Sequence, residues 1–303
     1  MTRALPTRHR DAGHRSAAGL GVAAMLGSAL LLTLNDAVAK WIMAGLPVSQ
    51  FMATRGFVVL CGLLLFILLT RRQSVLRIWN WRAMLLRCCA MVASAYLFLS
   101  ALRHMPLADT YAIGFASPLI ALVLAIVFLS ERVGWRRWAA VCLGFAGVCI
   151  ALLPTGQGYV WTVALLPLAS AFGSAVRDVS SRRLSATDTT LGIMVYTTVA
   201  ITLAGFAGWV FEPWTFTGAG DSLWLIVGCA ALQASAHWLQ IEAYRCAEVS
   251  FLMPFRYVSL VFATAVGFAV WGDVPAWNVA LGSAIIIASG LFIWHRERQR
   301  KGR

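Results

Sequence analysis

The sequence predicts an all-α, polytopic membrane protein of ten transmembrane helices arranged as two inverted five-helix repeats. Three observations lead there. The 303-residue chain is 60% hydrophobic and 12% charged, with a mean hydropathy of +0.77, which leaves too little polar surface to coat a water-soluble globule. Ten stretches approach the roughly 20 apolar residues that a helix needs to cross the hydrocarbon. The chain also reads twice, with a step of 142 residues: Asp36 meets Asp178, Lys40 meets Arg182, Arg103 meets Arg245, Glu131 meets Asp273 and Trp135 meets Trp277. Charged and tryptophan positions are sparse in so apolar a chain, so an ungapped register through them marks a duplication.

The first repeat supplies spans at 18–43, 48–70, 82–103, 106–130 and 136–153; the second supplies 159–181, 189–210, 222–244, 250–271 and 276–294. Gly, Ala and Leu run through them without period-2 alternation, which excludes the strands of an outer-membrane barrel. The first span imitates a secretory signal, with Arg15 ahead of an apolar stretch and Ala37-Val38-Ala39 behind it. Its length, and the matching of Asp36 and Lys40 by Asp178 and Arg182, predict that it is retained.

Basic residues set the orientation, because Arg and Lys flanking a span resist translocation. They collect in the N-tail (1–17), in the loops around Arg71 and Arg77, Arg132 and Arg136, Arg182 and Arg183, at Arg245, and in the C-tail (296–303). Both tails therefore fall on one side, expected to be the cytoplasmic face of a bacterial inner membrane. The net charge of +13 is mostly this topology signal, with anionic headgroups as partners. The clusters are short and split among loops, which argues against nucleic acid. An odd number of spans per repeat turns the second repeat (159–295) upside down relative to the first (18–153), across a linker at 154–158. Inverted repeats around a midplane site are a common construction of secondary carriers.

Seven cysteines, odd in number and placed in or beside spans, read as small apolar fillers. No metal-ligand spacing, phosphate loop or nucleophile elbow occurs, so neither a cofactor nor an enzyme activity is expected.

The tract Ala112-Ile-Gly-Phe-Ala-Ser-Pro118, the helix ending Leu129-Ser-Glu131-Arg132, and Gly144 and Gly147 resemble the carboxyl part of an EamA repeat of the drug/metabolite transporter superfamily. Pro254-Phe-Arg-Tyr257, Trp271-Gly-Asp273, Gly282 and Gly290 are similar in the second copy. That copy has Asp273 in place of Glu and Leu260 where the first has Pro118, so Pro254 is the residue left to bend the ninth span. Asn35-Asp36, Lys40, Pro47 and Arg55 resemble the opening of a subgroup with carriers of riboflavin and of S-adenosylmethionine. Amino-acid exporters belong to the same superfamily. The resemblance thus implies a metabolite carrier without settling its substrate.

Buried charge gives an independent view, since an ionisable residue in hydrocarbon costs several kcal/mol unless paired or wet. Asp36, Lys40 and Arg55 form an outer set in which Asp36 and Arg55 are expected to pair; Arg177, Asp178, Glu242 and Arg256 form an inner one. These read either as charge nests that close two gates, with Asp36, Lys40, Arg55, Asp178 and Glu242 in gating or coupling, or as static helix glue. Gln233, His237, Gln240 and Tyr244 follow at steps of 4, 3 and 4, on one helical face. The matching positions in the third span, Met91, Ala95, Phe98 and Leu102, are apolar. That asymmetry suits a substrate with one polar end, although interhelical hydrogen bonding would produce the same stripe. Tyr111 and Phe115 share a face ahead of Pro118, and Phe115 matches Tyr257 beside Arg256. Such rings stack on a flat substrate while a guanidinium holds a carboxylate or phosphate.

The substrate-binding set is accordingly Tyr111, Phe115, Gln233, His237, Gln240, Arg256 and Tyr257. The expected function is alternating-access transport of a small amphipathic metabolite: riboflavin-like, an S-adenosyl compound or an amino acid. The rival reading is a ligand-binding or signalling membrane protein without transport. Small-residue faces at Ala140 and Gly144, and at Ala284 and Ala288, serve close helix packing or a homodimer contact.

Overall fold

The computed structural model describes residues 8–71, 73–129, 135–151, 161–215, 223–274, 277–278, 280–285 and 287–288. The regular structure among the described residues is helical: α1 (Arg8–Ile42), α2 (Val48–Thr70), α3 (Trp81–His104), α4 (Leu107–Gly114), α5 (Ala116–Leu129), α6 (Trp135–Ala151), α7 (Trp161–Ser185), α8 (Thr190–Ala207), α9 (Leu223–Cys246), α10 (Val249–Arg256) and α11 (Val258–Trp271). Short 3-10 turns follow α2, at Gln73–Leu76, and α8, at Gly208–Val210. The start of the basic N-tail, Glu131, the 154–158 linker and the C-tail lie outside the described residues, as does much of the span expected at 276–294.

Seven of the helices, counting α4 with α5 and α10 with α11, are long and apolar enough to cross a membrane. The 24-residue α9 is not among them, because Gln233, His237 and Gln240 interrupt its apolar run. Solvation is inverted relative to a water-soluble domain. Leu69, Trp224 and Phe268 are exposed on the outside, whereas Arg87 and Asp178 are 1% and 0% exposed. Hydrocarbon solvates an apolar exterior and expels ionisable groups, so the charges turn inward. Trp79, Trp81, Trp135 and Trp277 are likewise exposed.

Packing brings the two halves of the chain together: α1 lies along α9, α3 along α7 and α2 along α8. The bounds of α9, α10 and α11 each lie 142 residues beyond those of α3, α4 and α5. The two broken spans are interrupted at matching residues, Phe115 and Tyr257, by different chemistry. Pro118 has no N–H to offer the Gly114 carbonyl, so the helical ladder loses a bond just there. Its counterpart Leu260 keeps the N–H but donates it to the Tyr257 oxygen at 3.1 Å, only three residues back. The Arg256 carbonyl then accepts from the Ser259 hydroxyl at 2.6 Å. The ninth-span bend therefore falls at Tyr257 and does not come from Pro254, since a proline there frees the carbonyl four residues earlier, at 250.

Where α2 crosses α8 the backbones nearly touch. A Cβ added at Gly205 would lie 2.5 Å from the Ala53 nitrogen and 2.9 Å from the Ser49 oxygen. Beyond α8 the chain returns over the same crossing. The N-terminus of α2 has no side-chain cap of its own, and Glu212 supplies one, accepting from the Ser49 N–H at 2.9 Å and the Tyr96 hydroxyl at 3.1 Å. Gln50 and Thr215 exchange two further hydrogen bonds, of 2.8 and 3.0 Å. Burial works against ionisation of Glu212, but the Ser49 and Tyr96 donors outweigh it and hold the carboxyl below its usual range.

Two outcomes are expected. Gly205→Ala must force α2 and α8 apart and lowers stability by about 1–3 kcal/mol, read as a reduced melting temperature of the detergent-purified protein. Glu212→Gln costs about 0.5 kcal/mol, at the low end for a cap because the carboxyl is mostly solvated. Since the folded-state value of Glu212 is depressed, its contribution is present at neutral pH and fades as pH falls through that value. The melting-temperature gap between wild type and variant therefore closes on acidification.

Candidate functional site

The helices enclose a cavity of about 150 Å³. Its walls are chemically unlike. On one side, α9 presents Gln233, His237 and Gln240, three and four residues apart and so on one face. On another, α3 presents Met91, Ala95 and Phe98. Phe98, Tyr111, Phe115 and Tyr257 form a ladder of edge-to-face rings with centroids 5.7, 6.2 and 5.4 Å apart, which carries aromatic packing from the cavity into the core. The helix break at Phe115 leaves Gly114 and Ser117 on the lining, and the break at Tyr257 places Arg256 and Ser259 there.

Of the seven residues expected to bind substrate, six line the cavity: Tyr111, Phe115, Gln233, His237, Gln240 and Arg256. Tyr257 is 4% exposed and stands behind Phe115. Tyr244, the fourth member of the polar stripe, is buried outside the lining, and its carbonyl accepts from Arg182 at 2.6 Å.

The charged residues divide differently. Asp36 lines the cavity and accepts from the Tyr111 hydroxyl at 2.7 Å and from Asn35 at 2.8 Å. Arg55 also lines it, but does not form the expected pair with Asp36: its guanidinium lies over the Phe51 ring, 4.5 Å from the centroid, and its Nε has no hydrogen-bond partner. Lys40 sits away from the cavity, donating to the Met105 carbonyl at 2.9 Å, 4.0 Å from Asp273 and 5.1 Å from the centre of the Trp271 ring. Asp178 is wholly buried behind the lining. It accepts two 3.0 Å bonds from Arg177 and a third from Arg256. Glu242 stands apart, 3.5 Å from Arg245 and bonded by the Thr190 hydroxyl, where it fastens α9 to the start of α8.

Other residues complete the cavity and its supports. Arg177 approaches the Met91 sulfur at 3.8 Å and is held by Arg87, whose guanidinium donates to the Arg177 carbonyl at 3.2 Å and to Ser181. Arg87 was findable as a lone cation within an apolar span. The serines at 28, 94, 117, 170, 174 and 259 were not, because small hydroxyls are ordinary in helix contacts of either kind. Cys229 exceeds a filler role: its thiol lies 3.0 Å from the Asn35 side-chain oxygen. Among the described residues no cluster of His, Cys, Asp or Glu is arranged to hold a metal.

Residues 19–153 match the model of the EamA-like transporter family. The chain is 32% identical to a riboflavin transporter of Rhizobium johnstonii over 209 residues, 67% of each chain. It is 29% identical to a riboflavin transporter of Vibrio cholerae serotype O1 over 289 residues, 92% of this chain and 95% of that one. It is 23% identical to an S-adenosylmethionine uptake transporter of Rickettsia felis over 198 residues, 65% of this chain and 66% of that one.

The two carboxylates near the cavity should respond differently to neutralisation of their surroundings. Tyr111→Phe removes one hydrogen bond from a partly solvated Asp36 and costs about 1 kcal/mol. Asp178→Asn leaves the buried Arg177 and the partly buried Arg256 without their carboxylate and costs about 3–5 kcal/mol. Melting curves of both variants in one detergent give this order, and equal losses would contradict it.

Proposed function

Because the chain belongs to the EamA-like transporter family, we propose that it is a secondary carrier that moves a small amphipathic metabolite with a flat ring system by alternating access. The observation that carries this reading is the cavity itself, with amides and an imidazole on α9 facing the apolar and aromatic side chains of α3 and the α4–α5 break. A flavin has the matching shape. Its fused rings have apolar faces suited to Phe98, Tyr111 and Phe115, and its polar edge and hydroxylated tail suit Gln233, His237 and Gln240. Riboflavin is also what two of the relatives are named for.

In this reading the protein sits in a bacterial inner membrane with both tails cytoplasmic, as the distribution of Arg and Lys supports. The second five-span repeat, 159–295, is inverted relative to the first, 18–153. The equal offset of three helices and the pairing of α1 with α9 and of α3 with α7 support a two-fold plan. Lys40 at the Met105 carbonyl and Arg182 at the Tyr244 carbonyl serve as the outer and inner latches, since each ties one repeat's first span to the end of a third span. Asp178 keeps the inner end of the site closed when it bridges Arg177 and Arg256.

Counterflow in proteoliposomes tests the proposal. Liposomes preloaded with unlabelled riboflavin should accumulate labelled riboflavin transiently, whereas those preloaded with S-adenosylmethionine or an amino acid should not. His237→Ala should lower the exchange rate at limiting flavin about tenfold, the effect of losing roughly 1.4 kcal/mol of binding, with its melting temperature little changed. Binding of flavin without counterflow would favour a receptor over a carrier.

A further inference from the structure

Charge around the cavity does not balance. Arg55, Arg177 and Arg256 line it, and Arg87 supports Arg177 from behind. Against these four guanidiniums stand two carboxylates, Asp36 and Asp178. Asp109 and Asp273 interact with Lys40, and Glu242 with Arg245, so these carboxylates are engaged elsewhere. Four positive charges against two negative leave two positive charges over, and His237 can only add to that excess. Arginine does not shed its proton to escape. An unmatched charge at membrane depth is tolerated where it faces a wet cavity and meets an anion there.

The excess has a location. Arg55 is 3% exposed, its guanidinium lies over the Phe51 ring, and its Nε has no acceptor. Arg55 and Arg177 both act electrostatically on Asp36 and on His237, so the two guanidiniums approach the same space from α2 and α7. Gln233 Oε1 and His237 Nε2, on the facing wall, also have no partner. An unspent Arg55 Nε donor, a second guanidinium already shared with Asp178, unspent polar atoms on α9 and the aromatic rings of Tyr111 and Phe115 together make a site for an organic anion with a flat apolar body.

We propose that the cavity selects a metabolite bearing a carboxylate or phosphate, held by Arg55 together with Arg177, while its ring system stacks against Tyr111 and Phe115. The inference rests on the transport reading for passage across the membrane, but not for binding. It excludes a sulfonium cation as the favoured cargo. Among flavins it ranks the phosphorylated form above neutral riboflavin.

Matched ligand pairs that differ only in charge decide it, with the full-length protein in nanodiscs of neutral phosphatidylcholine. The pairs are riboflavin 5′-phosphate against riboflavin, and indole-3-acetate against indole-3-acetamide. Each anion should bind about tenfold or more tightly than its neutral partner, the scale of a charge-assisted hydrogen bond. Arg55→Gln should erase that ratio, bringing each anion's affinity down to that of its neutral partner. Equal or tighter binding of the neutral members, no binding of either pair, or a ratio that survives in Arg55→Gln overturns the proposal. Should that variant not fold, the ratio in the native protein still decides, because it should shrink between about 20 mM and 500 mM salt if charge carries it. Counterflow with the same pairs separates the two readings. Anion-selective binding without exchange leaves the site standing and removes the carrier, whereas exchange that prefers riboflavin to its phosphate leaves the carrier and removes the anion site.

Discussion

The Asp178 carboxylate holds the architecture around the cavity together. It is wholly buried and joins Arg177, its neighbour on α7, to Arg256 at the end of α10. In hydrocarbon neither guanidinium can be left alone, and neither can the carboxylate, so the three fix one another. That mutual requirement pins the end of α10 against α7, and with it the break that places Arg256 and Ser259 on the cavity wall. Arg87 extends the same network to α3 through the Arg177 carbonyl. Helices from both halves of the chain are thus tied at membrane depth by groups that have no stable alternative there.

Period and composition exposed much of this in advance. The spans read at 48–70 and 82–103 correspond to α2 (Val48–Thr70) and α3 (Trp81–His104), because long apolar runs flanked by Arg, Pro and Trp leave little ambiguity. The stripe of Gln233, His237 and Gln240 was visible because three polar residues at helical spacing stand out against Leu and Ala. What could not be read were partnerships across the fold. Tyr111 and Asp36 are 75 positions apart and Glu212 and Ser49 are 163 apart. No local pattern encodes either contact. The pairing expected between Asp36 and Arg55 shows the same gap: both residues reach the cavity, but a tyrosine hydroxyl takes the place expected for the guanidinium.

The comparison of matched positions explains the site better than either half does alone. Duplication produces a scaffold with two equivalent walls, and selectivity requires that they differ. Here α9 carries an imidazole and amides where α3 carries a thioether, a methyl and a phenyl ring. The differing residues line the cavity, so α1 packs on α9 and α3 on α7 while the two walls diverge. The same holds at the breaks, where Gly114 corresponds to Arg256 and only one wall gains a cation.

The two breaks also differ in what they allow mechanically. At Phe115 the missing amide of Pro118 is covalent, so that segment stays jointed whatever its surroundings. At Tyr257 the Leu260 amide has a choice between the Tyr257 and Arg256 carbonyls, and Ser259 holds the second one only by a hydroxyl hydrogen bond. Transfer of the Leu260 amide to the Arg256 carbonyl would restore the helical hydrogen bond that is missing between α10 and α11. One half of the molecule therefore carries a permanent elbow and the other a latchable one, so the two halves are unequal in stiffness as well as in chemistry.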